Sequence, residues 1–153
     1  MTTEQNTQPL QQQIEDFQRT RKTPPAIKEA FAKGTQDLLA SGLADQSIKQ
    51  GDIAPDFALP NVTGEPIQLS HLLALGPVVL IFYRGGWCPY CNLALRSYQA
   101  ILPEIQRAGA TLVAVSPQTP DNSLSAKEKM DLRFPVLSDQ GNTVARAYGL
   151  VFT

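Results

Sequence analysis

The run Val78-Val79-Leu80-Ile81-Phe82-Tyr83-Arg84-Gly85-Gly86-Trp87-Cys88-Pro89-Tyr90-Cys91 decides how this chain is read. Its apolar opening, residues 78–83, is an unbroken stretch of β-formers, the pattern of a strand covered on both faces. Two glycines then break the strand, and Pro89, whose φ is preset for a first helical turn, opens a helix. The two cysteines, three positions apart, therefore fall where a buried strand hands over to a helix. Open α/β sheets place reactive groups at that edge. At the cap or first turn Cys88 meets unpaired backbone N–H groups and the positive end of the helix dipole, which lower a thiol pKa from about 8.5 toward neutrality or below. Cys91 shares a helix face with it, so its sulfur can attack Cys88 after oxidation and close a disulfide. Gly85 and Gly86 let the chain turn tightly ahead of the pair and let a substrate approach the backbone.

Working outward, the helix opened by Pro89 runs to about Arg107 with Leu95, Tyr98, Leu102 and Ile105 on one stripe, kinked by Pro103. A second buried strand is expected over 111–116, a helix over 120–130, a short strand over 134–137 and a short helix over 142–148 closed by Gly149. Strands alternating with helices imply a parallel sheet, hence an α/β fold. On the other side, residues 57–59 read as a short strand and 61–65 as a turn around Gly64. The first fifty residues read as a helical extension. Leu10, Ile14 and Phe17 recur at helical spacing, Thr23-Pro24-Pro25 stops that helix and starts another, and Ile27, Ala30, Phe31, Leu38 and Leu39 continue until Ser41-Gly42. The Gln cluster near the start is read as a solvated helix face.

Composition narrows the functions. At 153 residues, 42% hydrophobic and 18% charged, the chain has room for one core, and a net charge of −1 argues against a polyanion partner such as nucleic acid. Residues 1–13 lack the basic start and apolar run of a signal peptide, and no apolar run is long enough to span a bilayer. The expectation is therefore no membrane association and a cytoplasmic location, where a closely spaced Cys pair is redox chemistry and not a structural disulfide framework. Zinc needs four ligands, and two cysteines with one histidine do not supply them, so no metal is expected. His71, in the apolar stretch 69–75, reads as a packed or surface side chain.

Three segments resemble the alkyl hydroperoxide reductase/thiol-specific antioxidant family, the peroxiredoxin-like proteins of the thioredoxin-like superfamily. Gly51-Asp52-Ile53-Ala54-Pro55-Asp56-Phe57-Ala58-Leu59-Pro60 is similar to the family's opening motif. Residues 78–92 match its strand and cysteine segment, and Leu112-Val113-Ala114-Val115-Ser116 with Phe134-Pro135-Val136-Leu137-Ser138-Asp139 match its later strand and acidic turn. The resemblance implies a thioredoxin-like central sheet flanked by helices over 51–153, after a helical extension over 1–50, with the C-terminal part of the fold missing. It implies a thiol-dependent peroxidase, an antioxidant enzyme acting on hydrogen peroxide or organic hydroperoxides. Cys88 would be the peroxidatic thiol and Cys91 the resolving one, with Arg84, Gly85, Gly86 and Trp87 around the substrate. A thioredoxin- or glutaredoxin-type protein would be the reductant, and no cofactor is implied.

The family's loop carries a Pro seven residues before the peroxidatic Cys and a Thr or Ser three before it; this chain has Ile81 and Gly85 there. The local run Trp87-Cys88-Pro89-Tyr90-Cys91 is also similar to the Trp-Cys-x-x-Cys of thioredoxins and the Cys-Pro-Tyr-Cys of glutaredoxins. Two other functions thus stay open, a general thiol–disulfide oxidoreductase acting on protein disulfides and a non-catalytic redox-sensing module. Two structural expectations follow. Cys88 should be the more acidic and more accessible thiol, with Cys91 shielded. The strand over 78–83 should have 111–116 on one side and a strand from beyond Thr153 on the other; failing that, the edge is covered by the N-terminal extension or by a second copy in a homodimer.

Overall fold

In the computed structural model, which describes residues 8–151, the chain begins with three helices, α1 (Leu10–Thr20), α2 (Pro25–Ala40) and α3 (Leu43–Gln46). A small antiparallel pair follows, β1 (Ala58–Pro60) against β2 (Pro66–Gln68), then α4 (Leu69–Leu73). The cysteine-bearing segment runs from β3 (Val78–Phe82) into α5 (Pro89–Ala100), which is continued by α6 (Leu102–Arg107). The rest is β4 (Thr111–Ser116), α7 (Pro120–Lys129), β5 (Val136–Ser138) and α8 (Thr143–Ala147). Positions 1–7 and Thr153, on which part of the leader and chain-end expectations turned, lie outside the described residues.

The sheet is parallel in the order β3-β4-β5, with Val78 opposite Thr111 and Ala114 opposite Val136. β4 is the central strand, and its side chains divide the core by simple alternation. Val113 and Val115 point into a cluster with Phe57, Leu59, Leu69, Leu137, Val144 and Tyr148. Leu112 and Ala114 point into the opposite one with Tyr83, Leu95, Leu102, Leu132, Phe134 and Val136. Continuous apolar runs were the sequence sign of strands covered on both faces, and β4 meets it with four consecutive apolar residues, Leu112 to Val115, at 0–1% exposure. β3 does not: all five of its residues are only half-buried, because β4 flanks it on one side and no strand flanks it on the other among the described residues.

The helix expected over 89–107 is two helices. The break falls at Ile101, whose φ −96° and ψ 6° leave the helical region. Pro103 has no N–H to continue the ladder, and it occupies instead the first turn of α6, where none is needed. The expected stripe survives the break, since Leu95 and Leu102 are buried and Tyr98 and Ile105 pack on the same cluster. α2 departs further. Every residue of it is exposed, Phe31 at 67% and Leu39 at 77%, so its apolar stripe meets no partner within the described residues. Among those residues no helix is long and apolar enough to cross a membrane.

Candidate active site

Parallel strands β3 and β4 end at the same edge of the sheet, and the cysteines sit there. Tyr83 continues the β3 ladder with one more bond, its N–H donating to Val115 O at 2.9 Å. The chain then turns through Arg84, Gly85 and Gly86, and the turn closes where Cys88 N–H donates to Gly85 O at 3.1 Å. Gly85 has φ 142°, and a Cβ there would fall 2.5 Å from Trp87 Nε1, so this turn requires glycine. Cys88 is the N-cap of α5, with φ −87° and ψ 111°, Pro89 takes the first turn, and Asn92 N–H makes the helix's opening bond to Cys88 O at 3.0 Å.

Both thiols are free, and the two differ in acidity. Burial pushes the Cys88 thiol up, but that push is outweighed by the Cys91 S–H donating to it, the N–H groups of Cys91 and Tyr90, and the Arg84 charge. The net direction is down, toward thiolate. Burial pushes Cys91 up, and donating its S–H to Cys88 pushes it further the same way; the N–H groups of Arg84 and Gly85 only partly oppose this. The acidity order expected from the helix N-terminus therefore holds. The accessibility order does not: Cys88 is 3% exposed, whereas Cys91 is half-buried against the Tyr83–Leu95 cluster. The N-cap position that exposes Cys88 to the helix N–H groups also tucks it under its own turn.

Of the other expected site residues, Arg84 and Trp87 lie on one groove at the sheet edge, whereas Gly85 and Gly86 do not line it. The Arg84 guanidinium lies 4.8 Å from the centroid of the Trp87 ring, a cation–π pair beside the thiol. Trp87 is 63% exposed. Together with Phe82, Tyr83, Ser116 and Leu150 these two line a groove of about 460 Å³ along the sheet edge. Gly86 lies flat on α7, since a Cβ there would come within 2.8 Å of Ala126 Cβ. His71 is exposed on α4, and among the described residues no three His, Cys, Asp or Glu side chains gather as metal ligands.

Three contacts escaped the sequence reading. Gln118, from the loop leaving β4, accepts the Gly86 N–H at 2.8 Å. Asn92 Nδ2 donates to Gly86 O at 2.9 Å. The N-terminal extension also touches the redox helix, for Phe17 of α1 meets the ring of Tyr90, between the cysteines, edge-on at 5.3 Å. A signal for Gln118 was present, because Ser116-Pro117-Gln118 follows a strand parallel to β3 and so must emerge at the same sheet edge.

Residues 50–153 match the model of the AhpC/TSA family, two-thirds of the chain and all of the redox region. The chain belongs to the AhpC/TSA family. Its AhpC/TSA part is 35% identical over 103 residues to a putative peroxiredoxin of Mycobacterium tuberculosis, covering 67% of each chain. Among solved structures, the crystal structure of the peroxidoxin BcpB from Mycobacterium tuberculosis is similar at TM-score 0.65 and 35% identity, over 67% of this chain and 66% of that one. The bacterioferritin comigratory protein of Xanthomonas campestris, whose structures address its alkyl peroxide reduction activity, is similar at TM-score 0.59 and 25% identity over 63% and 60%. This AhpC/TSA chain thus spans about two-thirds or less of the length of the relatives it matches.

Proposed function

We propose that this chain is a thiol peroxidase in which Cys88 attacks the peroxide and Cys91 resolves the product. The Cys88 thiolate displaces alkoxide or hydroxide from the peroxide O–O bond; the leaving oxygen takes up a proton, and Cys88 becomes a sulfenic acid. Cys91 gives up its S–H proton and its sulfur attacks Cys88. The S–O bond breaks, the oxygen departs as water, and a disulfide remains. A dithiol protein of thioredoxin or glutaredoxin type reduces that disulfide and returns both thiols. Regeneration by such a dithiol protein suits a reducing compartment such as the cytoplasm.

The observation that carries this reading is the unequal pair at the N-terminus of α5, with the Cys88 thiolate favoured by two helix N–H groups and by the Cys91 S–H. The peroxiredoxin name of one relative and the alkyl peroxide reduction activity addressed for another support it. Steady-state peroxide consumption with a thioredoxin couple tests it. Cys88→Ser abolishes turnover. Cys91→Ser accumulates a sulfenic acid at Cys88 that overoxidises in excess peroxide, because the chain has no third cysteine to resolve it. An active Cys88→Ser enzyme would sink the mechanism. A second reading, reduction of protein disulfides, is favoured by Gly85 standing where a hydroxyl-bearing residue is expected and by the exposed Trp87 beside a Cys-x-x-Cys pair. Insulin disulfide reduction faster than peroxide reduction would select it.

A further inference from the structure

Side-chain amides hold the peptides on either side of Gly86. The Gly85–Gly86 peptide donates its N–H to Gln118 Oε1 at 2.8 Å, and the Gly86–Trp87 peptide offers its carbonyl to Asn92 Nδ2 at 2.9 Å. One amide comes from the loop after β4 and the other from the first turn of α5, so two elements grip one turn. Gln118 is itself steadied, its backbone N–H donating to the buried Ser116 hydroxyl at 3.4 Å. Its side chain also fits closely, since a Cβ on Gly85 would lie 3.2 Å from Gln118 Cδ.

The gripped turn begins with the two N–H groups that face the Cys91 sulfur, those of Arg84 and Gly85. Gly85 has the freest backbone in the segment, at φ 142°, so the peptide ahead of it can swing unless its neighbours are fixed. Fixing them is what the two amides do. We propose that Gln118, with Asn92, is a positioning residue for the resolving thiol: the clamp keeps the Arg84 and Gly85 N–H groups on the Cys91 sulfur as that sulfur attacks Cys88. The same N–H groups receive Cys91 as the leaving thiolate when a reductant opens the disulfide. Cys88 depends on the clamp much less, because its stabilising N–H groups, those of Tyr90 and Cys91, belong to α5 itself. This rests on the reading of Cys91 as the resolving thiol.

The test separates the clamp from turnover. In a Cys88→Ser background Cys91 is the sole thiol, and ultraviolet thiolate absorbance follows its titration directly. The ionisable groups facing Cys91 are Cys88 on α5 and Tyr83 at the end of β3, and Tyr83 is present in every arm. Gln118→Leu in this background moves the Cys91 midpoint up by about half a unit or more, while the same substitution in a Cys91→Ser background moves Cys88 by less than half as much. Gln118→Met, of similar length and also without the acceptor, serves if the leucine variant misfolds. With both cysteines present, disulfide closure slows about threefold at fixed pH and sulfenic acid formation keeps its rate, in line with the smaller thiolate fraction. Equal movement of both thiols, or of neither, overturns the proposal. A shifted Cys91 titration with unchanged closure would support the clamp and overturn the resolving role instead.

Discussion

Two opposing tendencies meet at the Cys88 sulfur, and their balance fixes its reactivity. A thiolate taken from water is disfavoured, and Cys88 is 3% exposed, so burial alone would hold it protonated. The hydrogen bonds gathered at an N-cap reverse that, with Arg84 adding a nearby positive charge. Cys91 has no such surplus and sits above the usual thiol value. The sign is then fixed. As pH falls below the ordinary thiol range, Cys91 loses its thiolate first and Cys88 last. A small neutral alkylating reagent at mildly acidic pH is therefore expected to label Cys88 ahead of Cys91, although Cys91 is the more exposed of the two. Peptide mapping after limited reaction reads the order; Cys91 labelled first would mean that burial, not the helix terminus, governs Cys88.

At the scale of elements, the β1–β2–α4 unit shows how a single carboxylate organises short segments that have little stability of their own. Asp56 accepts from Gln68 Nε2 at 2.9 Å, from Ser70 N–H at 2.9 Å and from Phe57 N–H at 2.9 Å. The Gln68 and Ser70 bonds lead in lowering its pKa from 3.8 to about 2. A depressed carboxylate contributes its stability above 3.8, where folded and unfolded chains are both ionised, and loses it as pH falls through about 2. Asp56→Ala should lower Tm at neutral pH, and the gap to the parent chain should close as pH drops across that window; a gap independent of pH would assign the effect to packing. The same unit marks the limit of what the sequence discloses. α5, α6 and β4 were legible because Leu95, Leu102 and the run 112–115 repeat at helical or strand period over enough residues to be distinctive. Pro66-Ile67-Gln68 is too short to show any period, and its strand exists only because Ala58–Pro60 pairs with it. The cysteine pair was legible for a local reason, a motif within one turn. Phe17 was not, since it reaches the site only through tertiary packing that no local pattern encodes; Gln118 was signalled only by the strand order that brings the end of β4 to the same edge, not by any local motif.

For the molecule as a whole, the asymmetry of the sheet matters most. β4 is sealed by a strand on each side and a core cluster on each face, while β3, which delivers the cysteines, has a neighbour on one side only among the described residues. In a parallel pair alternate residues turn their N–H toward the partner. Tyr83 donates to Val115, so Ile81 faces β4 as well, and Leu80 and Phe82 direct their N–H groups to the open side. Ladder bonds contribute about 1 kcal/mol each net, so an open edge costs a measurable share of a domain stability of about 5–15 kcal/mol and leaves a template for pairing with another chain. Amide hydrogen exchange on this chain resolves the question residue by residue. Ile81 and Tyr83 are expected to exchange slowly, through openings near the global one, and Leu80 and Phe82 markedly faster, through solvent contact at the edge. Equal protection at all four amides would overturn the open edge and show that another strand, from a second copy or elsewhere, pairs with β3. Repeating the measurement at several protein concentrations tells these apart, because only a second copy makes the protection of Leu80 and Phe82 rise with concentration.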